Sequence, residues 1–217
     1  MSIPAELRDR LRVDYAPVRV LWSPWTRAMS LLPFAAVALL AAPFVFNVRA
    51  DAERLGWFGV WGLSLVQLAL GLLMIGAALR ESVPGRDWSP RATAAWLLLP
   101  VAAVIAVTLA SWEVSPTFIR RDWWQIGAMC FSGSAASALP MVALAGILAA
   151  RAYPTRPAVA GAILGGGAGL MADAGWRIFC HFSEPAHVLS AHLAAVLVAA
   201  LIGSLAAVWL TRGTRVR

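Results

Sequence analysis

The sequence predicts an all-α, polytopic membrane protein: six transmembrane helices with both chain ends on the cytoplasmic side. Three observations carry this expectation. Of the 217 residues, 60% are hydrophobic and only 13% charged, a balance foreign to soluble domains. The apolar residues fall into six blocks, roughly 28–48, 57–79, 92–112, 126–150, 158–179 and 187–210. Blocks of about twenty residues, rising ~1.5 Å each, cross the ~30 Å of bilayer hydrocarbon. The arginines are lopsided: thirteen flank one side of the predicted bundle and five the other, with no lysine anywhere. By the positive-inside rule the arginine-rich side, which includes both termini, is cytoplasmic. The chain thus divides into a cytoplasmic N-terminal segment 1–27, a six-helix domain 28–210 and a cytoplasmic tail 211–217. The connections leave no room for a soluble domain.

Residues 1–27 hold five arginines and no apolar core, unlike a cleavable signal, so the first span is expected to remain as an anchor. Leu7, Leu11 and Tyr15 recur at i+4 among Glu6, Arg8, Asp9, Arg10 and Arg12. That is the pattern of an amphipathic helix serving either a partner protein or anionic lipid. Ser23-Pro24 and Ser89-Pro90 read as an N-cap and first-turn proline for the first and third spans, and Thr155 with Pro157 and Ser183 with Pro185 do the same for the fifth and sixth. Pro33, Pro43, Pro100 and Pro140 are kink sites within spans. Tryptophans near the span ends, among them Trp22, Trp25, Trp57, Trp123, Trp124 and Trp209, fit an interfacial belt.

The fifth span carries Gly161, Gly165, Gly169, Asp173 and Arg177 at successive i+4 positions, with Cys180 three further on. Small residues on one stripe let a neighbouring backbone approach closely. The fourth span offers Gly127, Cys130, Ser134 and Ser137 or Ala138. A short 151–157 connection makes these helices antiparallel neighbours, so the two stripes are expected to meet, with both cysteines at the outer rim. Asp173 and Arg177, costly inside a span unless paired, are expected to form an i,i+4 ion pair, with Arg177 reaching towards the headgroups. A signalling or proton-relay role is the alternative for that pair.

The chain has two cysteines and three histidines, and Cys180, His181, His187 and His192 lie within thirteen positions between the fifth and sixth spans. Three readings compete. The cysteines can be small buried hydrophobes beside loop and cap histidines. Cys130, Cys180, His181 and His187 can ligate a soft or borderline metal. Cys130 and Cys180 can form a reversible disulfide in an oxidising periplasm. His187 and His192, five apart, lie about 140° around an α-helix and are not expected to share a face. No phosphate-binding loop, nucleophile elbow, HExxH or CxxC occurs, so enzymatic chemistry finds no foothold and no catalytic residue is assigned. The arginine excess is a topology signal rather than a nucleic-acid surface, because no aromatic-studded basic module accompanies it.

Residues 13–28, "VDYAPVRVLWSPWTRA", are similar to the Asp-x-x-Pro-Val-Arg-x-Leu-x-x-Pro segment that precedes the first span in the NrsF-type integral-membrane anti-sigma factors. The six spans with little soluble mass, the two cysteine positions and the stretch "CHFSEPAH" extend the resemblance along nearly the full length. The resemblance implies a negative regulator of transcription that sequesters an ECF sigma factor on the cytoplasmic side of the bacterial inner membrane. It implies release under stress, with Cys130 and Cys180 as the sensing pair for an outer-face redox or heavy-metal signal. No cofactor is implied beyond a transient metal ion at that pair. It directs the N-terminal segment to partner docking through Leu7, Leu11, Asp14, Pro17, Val18 and Arg19, with arginines of the 80–91 and 151–157 loops adding contacts. The partners are then the sigma factor and membrane lipid, with no direct nucleic-acid binding. The alternative is a small membrane transporter or metal-handling protein using Cys180, His181 and His187 at its outer mouth.

Overall fold

The computed structural model describes residues 4–6, 9–10, 20–119 and 121–214. The expected docking residues Leu7, Leu11, Asp14, Pro17, Val18 and Arg19 lie outside the described residues. Among the described residues, six helices are long and apolar enough to cross a membrane: α1 (Pro24–Phe46), α2 (Ala52–Glu81), α3 (Pro90–Val114), α4 (Trp123–Ala150), α5 (Pro157–Phe179) and α6 (Pro185–Arg212). No strand occurs among the described residues.

Local chemistry sets the helix ends and breaks. Ser23 caps α1 by accepting from the Thr26 N–H at 3.1 Å, and Ser89 caps α3 by accepting from the Ala92 N–H at 3.4 Å. The expected caps of α5 and α6 are not made. Arg156 and Glu184 occupy those N-cap positions without side-chain cap bonds. Thr155 instead donates to Asp87 at 3.0 Å, and the Ser183 hydroxyl donates to the Ser115 carbonyl at 2.6 Å. A proline in the first turn of each helix already removes one donor that a cap would satisfy. In α1 the helix breaks at Ser30-Leu31 and restarts at Leu32, because Pro33 supplies no N–H to the preceding turn. α2 and α6 each contain a π-turn, at Phe58–Gly62 and Val188–Leu193.

α5 is the axis of the bundle. It packs against all five other helices, and 83% of its central stretch is buried, against 67% for α2 and 33% or less for the rest. Its glycine stripe faces α6 rather than α4. A Cβ at Gly161 would strike the Gly203 carbonyl, and one at Gly165 the Ala199 carbonyl. At Gly169 it would lie 2.9 Å from Val196 Cα. Off the stripe, Gly167 backs onto Gly71 of α2, each carbonyl occupying the other's Cβ space at 2.6–2.7 Å. α4 meets α5 through a larger group: the Trp176 ring fills the space beside Gly133 and donates its indole N–H to Ser137 at 3.0 Å.

At the end carrying the termini, polar side chains tie the loops together. Glu81, fully buried, accepts from the Trp88 backbone N–H at 2.7 Å and pairs with Arg156, which also donates to the Trp88 carbonyl at 3.0 Å. The Arg80 guanidinium lies 3.7 Å over the Trp88 ring, a cation–π contact. Arg80 and Arg156 thus tie the loops to one another, while Arg86, Arg91 and Arg151 are exposed. Arg27, 4% exposed, donates to the Leu148 and Leu79 carbonyls, caps on the last turns of α4 and α2.

Candidate functional site

The opposite end of the bundle holds a buried cluster of sulfur and nitrogen. Cys130 lies near the start of α4, and Cys180 follows the last residue of α5, its N–H still bonded to the Trp176 carbonyl at 2.8 Å. Both are free thiols, and their sulfurs are 3.7 Å apart. His187 Nε2 lies 3.4 Å from the Cys180 sulfur. One ligand atom from each of Cys130, Cys180, His187 and His192 can be chosen so that all four lie within 4.8 Å of one another. None of the four residues is more than 5% exposed.

The histidines meet because the helix is not regular. The Val188–Leu193 π-turn closes i→i+5 hydrogen bonds, so a residue five places on returns to the same face. The His187 and His192 rings stand 5.2 Å apart. The expectation that they point different ways fails for this reason. His181, in turn, is outside the cluster. Its ring packs on Phe182 with centroids 4.1 Å apart, and its carbonyl accepts from Arg49 and Thr117.

Asp173 sits one shell further in. Its carboxylate accepts from His192 Nδ1 at 2.6 Å on one oxygen and from Gln67 Nε2 of α2 at 2.5 Å on the other. It therefore bridges α6, α5 and α2, and the expected Asp173–Arg177 ion pair is not formed. Arg177 does not reach outward: it is 6% exposed and donates to Ser111 Oγ at 2.8 Å and the Val107 carbonyl at 3.3 Å on α3. Arg49, in the α1–α2 connection, closes the end of α5. Its N–H donates to the Ile178 carbonyl at 2.8 Å, its guanidinium to the Arg177 carbonyl at 3.3 Å, and Asp51 holds it through two bonds of 2.6 and 2.9 Å.

Sequence reasoning missed His192, Gln67 as a partner of Asp173, and Arg49. Only the isolated Gln67 within an apolar run hinted at its role. A hydrogen bond from the Cys130 thiol, then those from His187 and His192, hold the Cys180 thiol well below the ordinary thiol range, against the opposing effect of burial. Chemically the cluster can bind a soft cation, or yield two protons and two electrons to an oxidant and close a disulfide. The family model described as negative regulator of sigma F matches residues 11–212. No curated protein and no solved structure matches the chain.

Proposed function

The chain belongs to the family of negative regulators of sigma F, and from that premise we propose that it is a membrane-bound anti-sigma factor with a sensing end and a capturing end. It holds an ECF sigma factor at the cytoplasmic face of the bacterial inner membrane and releases it when a redox or heavy-metal signal reaches Cys130 and Cys180 from the outer face. The N-terminal segment, with the Pro17-Val18-Arg19 stretch, captures the partner.

One observation carries the reading: the reactive cluster is connected to the root of the N-terminal segment by buried polar contacts through a single helix. Asp173, which accepts from His192 on one oxygen, accepts from Gln67 of α2 on the other at the cysteine end. The other end of α2 receives the Trp25 ring against Gly76 and the Arg27 guanidinium on the Leu79 carbonyl. A change at the cysteines that shifts α5 against α2 is thus felt where residues 20–27 are seated. A signal moves such an equilibrium only by its differential affinity for the two states, of order 1–3 kcal/mol.

The test is retention and release of the sigma factor. Cys130→Ser or Cys180→Ser should leave the protein inserted and the sigma factor bound, yet abolish release on oxidant or heavy-metal challenge. Removing residues 1–22 should leave an inserted protein that no longer co-purifies with the sigma factor. Normal release by the double cysteine variant would overturn the sensing role, and retention by the truncated chain would move docking to the loops.

A further inference from the structure

The geometry points to a closed four-ligand metal centre formed by Cys130, Cys180, His187 and His192, with Asp173 orienting His192, that takes a thiophilic divalent cation of tetrahedral preference such as zinc. This deepens the sensing site proposed above and rests on that reading for its regulatory meaning, though not for binding itself.

Two of the ligand separations match the edges of a coordination tetrahedron, and all four ligand atoms lie within 4.8 Å of one another. Metal–sulfur bonds of ~2.3 Å place two ligand sulfurs about 3.8 Å apart, and a sulfur and an imidazole nitrogen about 3.6 Å apart. The observed Cys130–Cys180 separation is 3.7 Å and the Cys180–His187 separation 3.4 Å. Two sulfur and two imidazole ligands in that shape favour zinc-like cations over octahedral, oxygen-seeking ones. Four protein ligands leave no open position, the mark of a structural or sensing site rather than a catalytic one.

A second observation is independent of the ligand distances. A carboxylate only accepts hydrogen bonds, so in the 2.6 Å contact with Asp173 the His192 Nδ1 donates, which leaves Nε2 as the atom that a cation would take in place of a proton. Metal-bound histidines are oriented in this way by a carboxylate behind them. Gln67 holds the far oxygen of the same carboxylate, so the orienting group is itself fixed. The π-turn brings His187 and His192 onto one face. A cleft of about 160 Å³ lined by Ile119, Trp123, Glu184, Ala186, His187 and Ser190 reaches His187 from the surface.

Charge balances. The cation replaces every proton that the four ligand atoms carry, releasing those protons to solvent, and the resulting two thiolates and two neutral imidazoles surround a dication with no net charge. A neutral product suits a site this deeply buried.

The test uses reduced full-length protein in detergent, with Co(II) as spectroscopic probe and Zn(II) as competitor. One Co(II) per chain should bind with tetrahedral d–d bands and sulfur-to-metal charge transfer, and Zn(II) should displace it. Cys130→Ser and Cys180→Ser should lose the charge-transfer spectrum. His187→Ala and His192→Ala should each weaken binding at least tenfold and lose the tetrahedral bands. Asp173→Asn should weaken binding about 10- to 100-fold while keeping the spectrum, and His181→Ala should bind as the parent does. The two histidine variants carry the test even if Asp173→Asn misfolds. An absent tetrahedral spectrum, or one unchanged in both histidine variants, overturns the centre. If the centre fails while the cysteine variants still abolish sigma-factor release, only the metal assignment falls. If the centre binds while those variants release normally, the sensing reading falls and the site is structural.

Discussion

Arg49 shows how much one side chain outside the spans can decide. It satisfies carbonyls at the end of α5 and is clamped by Asp51, with both residues buried. Removing one partner of a buried pair leaves an uncompensated charge, at a cost of about 3–5 kcal/mol. Arg49→Met should therefore lower stability in detergent by about that amount, read from thermal or denaturant unfolding, and Arg49→Met with Asp51→Leu should recover most of the loss. A single variant as stable as the parent would remove Arg49 as the cap of α5. The residue scale also marks where the sequence misleads. Cys130 and Cys180 could be placed at one rim because both lie near the same end of adjacent helices. His181 is next to Cys180 in the chain but its ring turns onto Phe182, while His192, twelve residues on, faces the cysteines. Adjacency along the chain is a poor guide wherever the backbone leaves a helix, as it does at Cys180.

At the scale of elements, the π-turn of α6 is the feature least legible in the sequence, because nothing in "VLSAHL" distinguishes it from a regular helix. Its consequence can be tested by length. Inserting one alanine after Leu189, which is 43% exposed, leaves His187 and His192 six positions apart, about 120° around an α-helix. That variant should bind Co(II) at least tenfold more weakly than the parent, whereas deleting Leu189 leaves the two histidines four apart on one α-helical face and should keep most of the binding. Undiminished binding by the insertion variant would show that the register of this turn does not set the ligand geometry. The glycine stripe was legible as a stripe but not as to its partner. Gly161, Gly165 and Gly169 announce a close backbone neighbour, and both α4 and α6 offer small residues. Trp176 decides between them: a ring filling the gap at Gly133 keeps α4 off, whereas Gly203 and Ala199 let α6 come in. The Asp173–Arg177 pair failed for a related reason, since helical spacing reports what is reachable within α5 and not that Gln67, His192 and Ser111 stand closer from three other helices.

For the whole molecule, six spans could be read directly, because apolar block length is a strong signal. The boundaries drifted where helices carry charge past the apolar block: α2 begins at Ala52, ahead of the predicted 57, with Glu53 and Arg54 on its first turn. The arginine count predicts the orientation. A reporter fused after Arg217 should be active only if it works in the cytoplasm, and one inserted within 113–124 only if it works in the periplasm. A periplasmic C-terminus would place the cysteine cluster on the wrong face for an external signal. The central position of α5 has a further consequence, which concerns manufacture. α5 is the least apolar of the six helices and carries Asp173 and Arg177, groups that hydrocarbon tolerates poorly. Chains are made N-terminus first, so α5 leaves the ribosome when Gln67 and Ser111 are already in the bilayer but His192, and the α6 backbone that its glycines are shaped to meet, are not. The helix at the centre of the finished bundle is therefore the one least able to insert alone, and its residence in the membrane is completed only when the last helix arrives.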